Sequence, residues 1–103
     1  MEDGPIIIVS RGVVKHGRRD EFIDLERSVI EQDQQESGTL IHALQFERDN
    51  PHIVLGYTVF RNQEAHDIHR RNGLPQVPRM MDLYEQSIHV TYCIPLAAKG
   101  VEF

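Results

Sequence analysis

Ile53-Val54-Leu55-Gly56-Tyr57-Thr58-Val59-Phe60 decides how the rest of the chain reads. Taken as a strand, it puts Ile53, Leu55, Tyr57 and Val59 on one face and Val54, Gly56, Thr58 and Phe60 on the other. Neither face has the run of polar residues expected where a sheet is wetted on one side, so the strand should be covered on both. Just before it, Asp49-Asn50-Pro51-His52 is a strong turn signal. Before that turn, Thr39 to Arg48 alternates Leu40, His42, Leu44 and Phe46 against Ile41, Ala43 and Gln45, which makes it the other arm of a hairpin.

Further out, Pro5 to Val14 is a dense β-branched run (Ile6, Ile7, Ile8, Val9, Val13, Val14) and reads as a first strand, ending in the turn Lys15-His16-Gly17. From Arg18 to about Ser37 the spacing becomes helical. Phe22, Leu25 and Val29, with Ile23 and Ile30, form an apolar side, and Gly38 stands where a C-cap glycine belongs. Beyond the central strand, Asn62 is an N-cap for a second helix that turns Ala65, Ile68 and His69 inward and stops at Asn72-Gly73. Pro75 and Pro78 interrupt the chain, and a short helical turn from Arg79 to Gln86 carries Met80, Leu83 and Tyr84. A last strand, Ser87 to Ile94, alternates Ile88, Val90, Tyr92 and Ile94 with His89, Thr91 and Cys93 before Pro95 ends it.

The order β-α-β-β-α-β is the α+β, ferredoxin-like arrangement, a four-stranded antiparallel sheet with both helices on one face. A chain of 103 residues makes this one domain, its core spanning about 5–95. Two helices cover one side of such a sheet, yet the first and third strands are apolar on both. A homodimer packed through the free sheet face resolves the mismatch. Composition excludes several other classes. No apolar run approaches the ~20 residues of a membrane helix, and the acidic Met1-Glu2-Asp3 is unlike a signal peptide, so a cytoplasmic protein with no membrane contact is expected. The single Cys93 excludes an internal disulfide and a cysteine-based zinc site, and a net charge of −5 argues against nucleic acid as a partner.

From about Ile6 to Tyr92 the chain resembles the antibiotic biosynthesis monooxygenase family, whose members are small dimeric α/β barrels. The resemblance is carried by Val13-Val14-Lys15-His16-Gly17 with Phe22, by Glu36-Ser37-Gly38-Thr39-Leu40, and by the segment from Tyr57 to His69. In that last segment many members have Glu, then Trp two residues later, then His nine residues after the Trp. Aligned on the His, this chain has Thr58, Phe60 and His69: the His is kept, the Trp is another aromatic, and the Glu is absent.

The resemblance implies an oxygenase that needs neither metal nor flavin and oxidises a small aromatic, polyketide-like or quinol substrate with O₂. Such chemistry requires a dry pocket, a base, and donors for a developing oxyanion. His69 is the candidate base. His66, Ser10, Thr58, Tyr57 and Tyr84 are candidate partners for substrate oxygens, and Phe22, Phe60, Leu83 and Met80 are candidate apolar walls. The absent Glu at Thr58 supports an alternative, a barrel that binds small molecules without catalysis.

Other readings carry less. His66 and His69, three residues apart on a helix, invite a metal with His42, His89 or Asp67, but no HExxH accompanies them and no metal is expected. Haem-degrading relatives of the fold use an Asn, a Trp and a His at positions that correspond to Ser10, His69 and Arg79, and none matches. Arg70, Arg71 and Arg79 read as a solvated face near the pocket mouth, Met80, Met81 and Leu83 as core, and Cys93 as a buried strand residue.

Overall fold

The structure is a computed structural model and describes residues 4–100, so Met1-Glu2-Asp3 lies outside the described residues. Its elements are β1 (Ile6–Val13), α1 (Arg19–Asp33), β2 (Thr39–Glu47), β3 (Asn50–Phe60), α2 (Gln63–Gly73), a 3₁₀ turn (Leu74–Gln76), α3 (Val77–Asp82) and β4 (His89–Cys93). The strands form one antiparallel sheet in the order β2-β3-β1-β4. The two strands apolar on both faces, β1 and β3, are therefore the two central ones. Register aligns Ile8 with Thr58 and Tyr92, Ser10 with Gly56 and Val90, and His42 with Thr58. Alternation sends these side chains toward the helices and sends Ile7, Val9, Leu55 and Tyr57 to the opposite face.

The core between sheet and helices is built from Val14, Phe22, Leu25, Val54, Leu83 and Tyr84. Phe22 meets Tyr84 edge-on at 5.5 Å between ring centroids. Burying each large apolar side chain contributes roughly 1.5–3 kcal/mol, so this cluster fixes α1 and the end of α3 against the sheet. Gly12 belongs to the same junction, because a Cβ there would collide with the Tyr84 ring.

Several boundaries differ from the sequence reading. Helix α1 stops at Asp33 instead of continuing to Ser37: the chain unwinds through tight turns in which Gln34 N–H donates to Glu31, Gln35 N–H to Gln32 and Glu36 N–H to Asp33. Gly38 is consequently not the helix cap. Its missing Cβ lets Ala65 of α2 approach, where a side chain would strike the Ala65 methyl. The hairpin turn is Arg48-Asp49, with Glu47 opposite Asn50, so Asn50 to His52 extend β3. Pro75 and Pro78, expected to interrupt the chain, instead stand in the first turns of the 3₁₀ segment and α3, where a missing N–H costs nothing. Helix α3 accordingly begins at Val77 and ends at Asp82. Ile68 and Met81 are exposed and Cys93 is half-buried, against expectations of inward or core positions. Asn62 caps α2 as expected, its side chain accepting from Ala65 N–H at 2.9 Å. No helix among the described residues is long and apolar enough to cross a membrane.

Candidate active site

A cavity of about 580 Å³ lies between the sheet and the helices, within the ~300–1,000 Å³ range of small-molecule sites. His69, on α2, reaches it by way of two local features. Asn62 starts the helix, and Gly38 lets its first turn dock on the α1–β2 connection. One turn beyond Ala65, His69 then stands over Glu36.

The His69 Nδ1 donates to Glu36 Oε1 at 2.8 Å and lies 3.4 Å from Asp33 Oδ1. Glu36 is itself held: Oε1 also accepts from the Thr39 hydroxyl at 2.8 Å, and Oε2 accepts from Asn72 Nδ2 at 2.8 Å. Burial pushes the Glu36 carboxyl up, but the bonds from Asn72, His69 and Thr39 outweigh it and leave the group below the ordinary carboxylate range. The same contest brings Asp33 down to about 2: burial raises it, and the hydrogen bonds and charge of His42 and His69 prevail. For His69, burial lowers the pKa and the two carboxylates more than compensate, so it titrates above its ordinary value.

A carboxylate only accepts, so the proton of neutral His69 is on Nδ1 and its lone pair is on Nε2. Among the described residues, Nε2 has no hydrogen-bond partner. The ring stands 5.1 Å from Phe60 and 5.4 Å from His42, centroid to centroid. His42 in turn donates its Nδ1 proton to Asp33 Oδ2. Two carboxylate–histidine pairs thus share one cavity wall.

Of the residues singled out from sequence, the cavity brings together His69, His66, Ser10, Thr58, Phe60, Met80 and Tyr84. Three are elsewhere. Tyr57 faces away because adjacent residues of a strand point to opposite sides, and Thr58 and Phe60 already take the helix side. Leu83 is wholly buried in the core, and Phe22 is buried beside it, lining a separate cavity between α1 and β2. His66 lines the cavity with both ring nitrogens engaged: Nδ1 is 3.1 Å from Asp67 Oδ1, and Nε2 is 3.1 Å from the Tyr92 hydroxyl. The metal grouping also differs. His66, His89 and Asp67 do not join His69; the donors that converge are those of Asp33, His42 and His69, all within 4.8 Å of one another.

Asp33, Glu36 and Glu26 were missed. Glu26 and Asp33 carried a signal, since they continue the buried side of α1 with Phe22, Leu25 and Val29, where charged residues are out of place.

A sequence model described as antibiotic biosynthesis monooxygenase matches residues 5–77, about seven-tenths of the chain. The chain belongs to the antibiotic biosynthesis monooxygenase family. No curated protein sequence matches it. Among solved structures, it is similar to Rv0793 from Mycobacterium tuberculosis (21% identity, 92% of this chain and 98% of that one, TM-score 0.84). A putative antibiotic biosynthesis monooxygenase from Nitrosomonas europaea is 16% identical over 97% and 98% of the two chains, with TM-score 0.84. A variant of SnoaB, a cofactor-independent oxygenase from Streptomyces nogalater, is 18% identical over 94% and 98%, with TM-score 0.81. At these identities the likeness is one of fold.

Against the antibiotic biosynthesis monooxygenase pattern, Thr58 lacks the Glu carried by many members. A carboxylate reaches His69 all the same, from Glu36 in the α1–β2 connection.

Proposed function

We propose that this protein is a cofactor-independent monooxygenase that oxidises a small aromatic, polyketide-like or quinol substrate with O₂, using His69 as the general base. The observation that carries the reading is the Glu36–His69 pair, which holds the imidazole by Nδ1 and leaves Nε2 unpartnered on a residue that lines the cavity. A base so placed can take the proton of a phenol or of an activated ring carbon. The resulting anion is electron-rich enough to pass an electron to O₂ without a metal or flavin. Ser10 and Thr58 offer hydroxyls to substrate oxygens, while Phe60 and Met80 keep the chemistry apolar and dry. We further propose a homodimer formed through the sheet face opposite the helices, where Val9 is 42% exposed and Leu55 and Tyr57 are only partly covered.

Oxygen uptake with a dihydroquinone or an anthrone tests the reading. His69→Ala should lower the rate by ~10²-fold or more. Uptake unchanged by that substitution removes His69 as the base. Tight binding of aromatic ligands with no oxygen consumed by the unmodified protein would favour a ligand-binding barrel, the reading that Thr58 in place of Glu supports.

A further inference from the structure

Glu26 takes no part in the proposed proton transfer, yet it is a buried acid with an unsatisfied oxygen. It is 7% exposed, on the buried side of α1, and its Oε1 has no hydrogen-bond partner. Two other buried side-chain atoms among the described residues share that condition, His52 Nδ1 and Gln76 Oε1. His52 is stacked on His16 at 3.9 Å, away from the cavity; Gln76 lines the cavity that holds His69, but its amide is already engaged there, Nε2 donating to Gln32. Glu26 alone of the three lines both that cavity and the space between α1 and β2. A buried acceptor without a donor destabilises the fold, and a leucine at this place on α1 would not. A ligand hydroxyl entering the cavity would satisfy it.

We propose that Glu26 is the second anchor of the cavity, accepting a hydrogen bond through Oε1 from a hydroxyl of the bound aromatic, apart from the position that His69 deprotonates. The site would then select aromatics with two separated oxygen functions over those with one. This rests on the reading of the His69 cavity as a substrate site. Oε1 is an acceptor in either protonation state, provided that the proton of the neutral form is on Oε2. Burial raises the Glu26 pKa, with His42 opposing and Asp33 assisting, which extends the neutral form to higher pH and lessens the cost of an unpaired charge there. Tyr84 also lines the cavity, and its hydroxyl stays protonated because burial, and then Glu26, push its pKa up.

The test compares binding of naphthalene-2,6-diol and 2-naphthol, followed by ligand fluorescence or calorimetry. The unmodified protein should bind the diol about tenfold more tightly, the worth of one good hydrogen bond to a buried group. Glu26→Leu should abolish the preference, both ligands then binding alike, with a melting temperature no lower than that of the parent. Glu26→Gln, whose amide oxygen still accepts, should keep the preference. A preference that survives in Glu26→Leu overturns the proposal, as does failure of the diol to bind the unmodified protein any better than 2-naphthol. A merely structural role would move both affinities together and leave their ratio unchanged. Because binding is read and not turnover, the outcome separates from that of the proposed activity: a diol preference that depends on Glu26, with oxygen uptake indifferent to His69→Ala, would retain Glu26 and dismiss the base.

Discussion

Replacing Asp33 by Asn removes one charge from a buried site and leaves its shape almost intact, which makes the electrostatic contribution measurable. The Asp33 carboxyl accepts from His42 Nδ1 and stands 3.4 Å from His69 Nδ1, with its side chain 8% exposed. These contacts lower its pKa from 3.8 to about 2. At about 1.4 kcal/mol per pH unit, the ionised form then contributes roughly 2 kcal/mol to folding. The contribution of a depressed carboxylate is complete above its unfolded value of 3.8 and disappears as pH falls through about 2. His69 works in the other direction: its pKa is raised above 6.5, so its share is complete below that value and is lost as pH rises through the folded one. The two together make the effect of Asp33→Asn greatest between about pH 4 and pH 6.5. Urea unfolding at pH 6 and fixed protein concentration should show the midpoint of Asp33→Asn lowered by about 1–2 M, for a slope of about 1–2 kcal/mol per M. The difference should narrow both toward pH 2 and at alkaline pH. Equal midpoints at pH 6, or a difference that does not vary with pH, would refute this account of the Asp33–His42–His69 cluster.

Light scattering at micromolar concentration should give about twice the 11.9 kDa of one chain, and a mass near one chain would contradict the sheet-face dimer. The Asp33, His42 and His69 donors are close enough to ligate a cation, whereas the proposed function uses them as hydrogen-bonded pairs. Dialysis against EDTA should therefore leave oxygen uptake unchanged, and a rate lost to chelator and restored by one divalent metal would make the cluster a metal centre.

The fold was legible because its strongest signals are local. The β-branched run at Ile6–Val9, the two-faced apolar strand at Ile53–Phe60 and the Asn62 cap each report on a few neighbouring residues, and together they order the elements. Boundaries were less legible where tertiary contacts decide them. The end of α1 at Asp33 depends on where Glu36 and Gly38 must go, and Gly38 is governed by Ala65, far away in sequence. The site divides in the same way. His69 could be found from the spacing it shares with the family. Its partner Glu36 could not, since only packing of α2 on the α1–β2 connection joins residues 33 positions apart. Tyr57 was a correctable error, because strand alternation excludes it from the face taken by Thr58 and Phe60. Glu26 and Asp33 could also have been noticed, as acids within an otherwise apolar helical stripe.

If Glu36 poises His69 as the base, the pH dependence of oxygen uptake will carry its signature. With a dihydroquinone substrate the rate should rise with pH as His69 loses its proton, with a midpoint above the ordinary histidine value. Glu36→Gln removes a carboxylate 2.8 Å from Nδ1, which lowers the pKa of His69, so the midpoint should move to lower pH while the plateau rate falls with the weaker base. Profiles with the same midpoint in both proteins would mean that Glu36 does not set the basicity of His69.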